Sequence, residues 1–357
     1  MSISVNSEKI EIRVDKRTEL LGIIQIISDY RKQYPELLEK HGNLDYIEEI
    51  ESKFSKYKDH KVIKLFNEIV SNNNFGYDAP VSLFLQLNDD FTLDKLDDYP
   101  FITRLNSDPR VLELLSLSPD FAREIDFESF YASNEERYKK FLNNIKSQFD
   151  GKDIVSFMLD YYGVQTDKKF VVNLIPFQSN ANYGTRNGNE IYSNMCGIPD
   201  TLSEDGLYPS IRQNGNVGYV SLLYHEFSHS FINPLTDKHS IINDDDQIFS
   251  EIFEVMHQQA YGSNRSIINE HLVRATTIRY RFHDDTRMNK ADTNERYNIR
   301  TQYERESGFI YIDNILESLV FYENNRDKFE TIGEFYPVII ENMQIKHKET
   351  EDKKGTK

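Results

Sequence analysis

The sequence holds a single cysteine, Cys196, and no tryptophan among its 357 residues. One thiol excludes an internal disulfide and any metal cage built from cysteine thiolates. No apolar run approaches the roughly 20 residues needed to span a bilayer. The opening residues also lack the basic start, apolar core and small-residue cleavage site of a signal peptide. As given, the chain reads as cytoplasmic, and a secreted mature form whose leader had been removed would read the same way. Positive charge is in deficit: Lys and Arg number 42 against 59 Asp and Glu, a net charge of -17. Such a surface repels phosphate backbones and anionic membranes, so no nucleic acid and no membrane span are expected. Glycine-rich phosphate loops, Walker motifs and internal repeats are absent from the sequence as well.

What is present is 38% apolar residues, enough for a packed interior, in a chain longer than one usual core. The segment from Ile3 to Val14 alternates, with Ile10, Ile12 and Val14 against Glu11 and Arg13, and reads as one half-buried strand. Leu20, Leu21, Ile23, Ile24, Ile27 and Tyr30 then recur at helical spacing, and further helical patterns follow at Leu44 to Phe54 and Asn134 to Phe149. Residues 1–150 are thus expected to be mostly helical with one early strand. From 151 to 262 the pattern changes. Lys169 to Phe177 and Glu190 to Ile198 are β-rich, and the polar stretch Ser179 to Gly184 between them is either an edge strand or a plain connection. Residues 263–345 return to helix, including Arg265 to Phe282, and 346–357 is a charged stretch expected to be disordered. The fold class is α+β.

One stretch carries chemistry. Tyr219 to Pro234 contains His225-Glu226-Phe227-Ser228-His229, an H-E-x-x-H pattern inside an apolar helical run. A helix places residues four apart on one face, so both imidazoles can reach one metal ion. Val220, Leu223, Tyr224, Phe227 and Phe231 cover most of the helix surface, leaving Ser221, His225 and His229 as a polar stripe that should face a cleft. Pro234 is expected to end the helix, because it lacks an amide donor and disfavours helical geometry at Asn233. Two imidazoles and a carboxylate on one buried turn are costly without a cation. Six of the nine histidines lie between 225 and 283, which concentrates possible ligands there.

A third ligand is needed. Gly and His at 232 and 235 would mark a metzincin, but the residues are Ile232 and Leu235. Candidates on the residues alone are Asp237, Asp244 to Asp246, Glu251, Glu254, Glu270, His239 and His271; periodicity does not choose between Glu251 and Glu270. The segment Asn269-Glu270-His271-Leu272-Val273-Arg274-Ala275 resembles the Asn-Glu segment that supplies the glutamate ligand of gluzincins, the thermolysin-like and aminopeptidase-like metallopeptidases. Together with His225 to Pro234 it is similar to a mainly bacterial family of uncharacterised proteins, catalogued as a domain of unknown function and regarded as candidate gluzincins. Tyr57-Lys58-Asp59-His60 and Phe75-Gly76-Tyr77-Asp78-Ala79 share that character. The resemblance implies a zincin-like fold: a small sheet with the active-site helix, then a helical C-terminal sub-domain, preceded by the mostly helical N-terminal region. It also implies Zn2+ held by His225, His229 and Glu270, with Glu226 as the catalytic carboxylate. At the position where thermolysin-like enzymes carry an aspartate bonded to a zinc histidine, this chain has Arg274.

The expected activity is that of a zinc-dependent metallopeptidase acting on a peptide or protein substrate, with Glu226 as general base. Tyr311, in Gly308-Phe309-Ile310-Tyr311, is the preferred donor to the developing oxyanion over Tyr303 and Tyr322. Arg274 binds a substrate carboxylate, orients Glu270, or makes only a structural ion pair. The alternative is a non-enzymatic binding or scaffolding protein on a zincin fold with structural metal; a free carboxylate beside the ligands favours the enzyme.

Overall fold

The computed structural model describes residues 1–5, 9–38, 44–71, 75–146, 153–178, 181–196, 219–288 and 292–355. It is a mixed α+β fold, mostly helical with one small sheet. The chain forms two compact units, Met1–Asp153 with Asp167–Glu226, and Ile154–Thr166 with Phe227–Lys357.

The first unit contains the sheet, built from β1 (Ser2–Val5), β2 (Ile10–Arg13), β3 (Lys169–Ile175), β4 (Asn182–Asn187) and β5 (Glu190–Cys196). Its strand order is β1-β2-β3-β5-β4. The three middle strands are parallel, and β1 and β4 run antiparallel at the two edges. The alternating N-terminal segment is therefore two paired strands rather than one, and Asn182 to Gly184 belong to an edge strand. Ser179 and Asn180, and the end of the expected strand at Gly197 and Ile198, lie outside the described residues. Parallel strands bury both faces, which explains the unbroken apolar run Phe170, Val171, Val172, Leu174 and Ile175. The one polar side chain inside that run, Asn173, donates to Asn194 of β5 at 2.9 Å, and Asn194 donates to Thr185 of β4 at 2.8 Å. A one-residue slip would leave these buried amides unpaired, so the network fixes the register of three strands.

Asp15 caps the helix Lys16–Ile27 by accepting from the Arg17 amide at 2.9 Å, and this sets Glu19 into the interior at 2% exposure. There its Oε2 accepts from the hydroxyls of Tyr46, on Leu44–Phe54, and of Tyr138, on Glu135–Lys146, the latter at 2.8 Å. Its Oε1 has no hydrogen-bond partner among the described residues. Burial pushes the Glu19 carboxyl up to about 7; the two phenols and Arg137 pull it down, and Asp15 adds to the rise.

The second unit carries the long helices Tyr219–His239 (from Phe227 onward), Asn264–Met288, Thr293–Glu306, Ile312–Glu323 and Ile332–Gly355. The first of them does not end at Pro234 but runs through it to His239. Losing one amide donor costs about 3 kcal/mol, and contacts of the following turn offset it. Thr236 donates to Asn269 at 2.6 Å and accepts from Tyr336 at 2.9 Å, and Asp237 accepts from Arg265 Nη2 at 2.9 Å. Residues 346–355, read as disordered, continue the last helix. Phe335, Tyr336, Ile339, Ile340 and Met343 bury its first half, and once a helix is nucleated, extension through Lys and Glu costs little. The remainder of that expected disordered stretch, Thr356 and Lys357, lies outside the described residues. After the acidic loop come a 3-10 turn at Gln247–Phe249 and the short helix Phe253–Gln258.

A buried carboxyl whose folded value exceeds its ordinary 4.5 keeps its proton in the folded chain while the unfolded chain has lost it. Its stabilising share is complete below that ordinary value and declines as pH rises through about 7. Glu19→Gln should remove this decline. In urea unfolding from pH 5 to pH 8, the stability of the variant relative to the parent should rise by up to about 3 kcal/mol. A difference that stays constant across that range contradicts the assignment.

Candidate metal centre

The boundary between the units falls within the helix Tyr219–His239, after Glu226, so His225, Glu226 and His229 share one continuous helix. Leu223, Tyr224 and Phe227 are fully buried, and His225 and His229 are half-buried on another face. The polar stripe is shorter than the sequence implied, because Ser221 is buried completely. Asn264–Met288 supplies the third group. Its start is fixed by the acidic loop: Asp244 accepts from the Asn264 amide at 3.0 Å, and the Asn264 side chain donates to the Asn243 and Asp246 carbonyls at 2.8 Å each.

Among the described residues, His225, His229 and Glu270 form a group whose ligand atoms all lie within 4.8 Å of one another. His229 Nε2 is 3.2 Å from Glu270 Oε1. Around a tetrahedral zinc with bonds of about 2.0–2.2 Å, donor atoms sit roughly 3.3–3.6 Å apart. The donor set of two imidazoles and one carboxylate therefore fits zinc in kind, and the His229–Glu270 separation is close to that range. His229 Nδ1 lies 3.2 Å from Asn233 Oδ1, one turn along the same helix. An Nδ1–H donating to this amide oxygen would leave Nε2 to the group. The helical geometry at Asn233 that Pro234 was expected to disrupt is what makes this bond.

Glu270 is 7% exposed, and its second oxygen is also engaged, accepting from Arg274 Nε at 3.2 Å. Arg274 in turn donates from Nη1 to Glu304 at 2.9 Å and from Nη2 to the Tyr261 hydroxyl at 3.1 Å, and its guanidinium carbon lies 4.3 Å from the centre of the Phe309 ring. Glu226 is 5% exposed and is not one of the three grouped ligands.

The other third-ligand candidates are placed elsewhere. Asp237 pairs with Arg265 and Asp244 caps a helix. Asp245 and Asp246 are exposed, as are Glu251 and Glu254. His239 stacks on Tyr336 with ring centres 5.2 Å apart. His271 is fully buried, donates from Nδ1 to the Ile267 carbonyl at 2.8 Å, and is held neutral by burial, its value pushed down to about 4. Tyr311 donates its one hydroxyl proton to the Ile248 carbonyl at 3.0 Å and accepts from His347 Nδ1 at 2.9 Å. It lines a separate cavity of about 200 Å³ with Glu251, Lys346 and Glu351. Its hydroxyl is engaged by Ile248 and His347. Tyr322 likewise donates to the Tyr161 carbonyl at 3.0 Å.

Residues 10–342 match the family described as DUF4932, a domain of unknown function. The chain belongs to the DUF4932 family. The match covers every residue of the site, so the grouped ligands and the Arg274 contacts are all within the DUF4932 domain. No curated protein and no solved structure matches the chain.

Sequence reasoning missed Asn233, Tyr261, Glu304 and Phe309. Asn233 had a usable signal, since it stands four residues after His229 and so shares its face. The other three are joined to Arg274 only by tertiary packing, and nothing local marks them.

Purified without chelator, the DUF4932 protein should carry about one zinc per chain. Elemental analysis should show that content lost in His225→Ala and reduced in Glu270→Gln, while Glu251→Gln keeps it. Loss of zinc from Glu251→Gln with retention in Glu270→Gln would reject the third ligand.

Proposed function

We propose that this protein is a zinc-dependent metallopeptidase of gluzincin type, hydrolysing peptide bonds. The observation that carries the reading is the grouping of His225, His229 and Glu270 beside Glu226, a buried carboxylate that is not a member of the group. A purely structural metal site has no use for a carboxylate next to its ligands that is not itself one of them. The order of elements supports a zincin-like fold: a sheet with an antiparallel edge strand β4, then the H-E-x-x-H helix, then the glutamate helix. An edge strand is also where an extended peptide backbone can add to a sheet, in keeping with a peptide or protein substrate.

When bound, zinc supplies Lewis acidity that polarises a carbonyl and acidifies water. The chain's own residues do the rest. His225 and His229, fixed four apart by the helix, provide neutral nitrogen donors, and Asn233 holds the second imidazole in the tautomer that leaves Nε2 open. Glu226 takes the proton from the attacking water on a carboxylate oxygen and returns it to the leaving amine nitrogen. Cys196 takes no part as nucleophile: burial, with the charge of Glu226 adding, pushes its thiol well above the ordinary range. No helix of the described residues is long and apolar enough to cross a membrane.

Glu226→Gln keeps the size of the side chain and removes the base. Zinc content and thermal stability should match the parent, while the rate of peptide cleavage falls by about 10²–10⁴-fold. Digestion of a broad peptide library, read by mass spectrometry, checks both proteins side by side. No cleavage of any peptide by the zinc-loaded parent would instead favour a binding or scaffolding role.

A further inference from the structure

Arg274 is the least expected residue of the site, since a cation beside a metal-binding carboxylate competes with the metal for its charge. Its surroundings show that it is not free to meet a substrate. Three of its nitrogens each face an oxygen of the protein, on Glu270, Glu304 and Tyr261. One face of the guanidinium lies on Phe309. That ring is itself fixed, packed edge-on against His271 at 4.9 Å. It is delivered there by Gly308, whose φ of +100 is a backbone conformation that residues with a side chain rarely adopt. A planar fork held at three corners and on one face has no remaining freedom of orientation.

We infer that Arg274, locked by Glu304, Tyr261 and Phe309, is a positioning residue that restricts Glu270 to ligation through one oxygen. The inference rests on the metal reading given above. Arg274 Nε occupies Glu270 Oε2 at 3.2 Å, while Oε1 is the oxygen 3.2 Å from His229 Nε2. A carboxylate free to rotate would offer both oxygens to one cation. Held this way, it would offer one, and with His225 and His229 the chain would supply three donors, the number of a catalytic rather than a closed structural site. Glu304 supplies the negative charge that lets the guanidinium sit beside Glu270 without fully cancelling it. Lysine could not do the same work, because an ammonium is a point charge with no fork to fix three directions.

The test uses the full-length protein loaded with zinc or cobalt(II), and its readouts are metal affinity and the cobalt absorption spectrum rather than activity. In the parent, cobalt(II) should give the intense visible bands of a four-coordinate ion. In Arg274→Met and Arg274→Lys, zinc affinity measured against a chromophoric chelator should fall about 10–100-fold. Their cobalt bands should weaken as the second Glu270 oxygen joins the shell. Glu304→Gln, which loosens the fork from behind, should show the same changes to a smaller degree and serves where the Arg274 variants do not fold. Parent-like affinity and spectrum in the folded variants overturn the inference and leave the metal reading intact. Full recovery in Arg274→Lys overturns the role of the fork. A parent that takes up neither ion, or a His225→Ala variant that binds as tightly, removes the metal reading and the inference together.

Discussion

A carboxylate 7% exposed must have its charge answered; Arg274 meets one oxygen of Glu270, and the other lies 3.2 Å from His229 Nε2. Much of the second unit can be read as what keeps that arrangement in place. The helix carrying Glu270 is capped by Asp244, tied by Asn269 to Thr236 and by Arg265 to Asp237. The last two ties hold the final turns of the metal helix, so the bonds that align the two helices also carry the metal helix past Pro234. Asn233 then remains helical and can fix His229. Ligand tautomer, ligand spacing and helix continuity are one set of contacts.

The first unit answers its buried polar groups differently. Asn173 donates to Asn194 and Asn194 to Thr185, which pins three strands, and Asp15 combines a helix cap with a buried pair to Arg17 at 2.6 Å. Glu19 is the exception, accepting from two phenols with no cation bonded to it. Its neutral form suits the interior better than its charged form, which links the stability of this unit to pH near neutrality.

His225, Glu226 and His229 were legible in the sequence because their relation is local: a four-residue spacing on an apolar helix determines their geometry without reference to the fold. Glu270 was not legible in that way. Several acidic residues and histidines had equal claims, and only the resemblance of Asn269 to Ala275 to a gluzincin segment chose among them; the structure groups that residue with the two histidines. The fold class was readable from the switch between periods of two and of three to four, although β1 and β2 merged into one alternating segment, since antiparallel strands repeat the same alternation. Pro234 and residues 346–355 were misread for a common reason. Local rules price the backbone by itself, and contacts through Thr236, Asp237 and the buried face of the last helix supply what those rules omit. Tyr311 was chosen by type and position alone, and its proton is committed to Ile248.

The central claim is a mononuclear zinc held by two imidazoles and one carboxylate oxygen with one position left open. X-ray absorption at the zinc edge of the purified protein tests it most directly. The account predicts a shell of about four nitrogen and oxygen neighbours at roughly 2.0–2.1 Å, with outer-shell scattering from two imidazole rings that falls to one in His225→Ala. A six-oxygen shell, a sulfur neighbour, or a spectrum without imidazole scattering would contradict it.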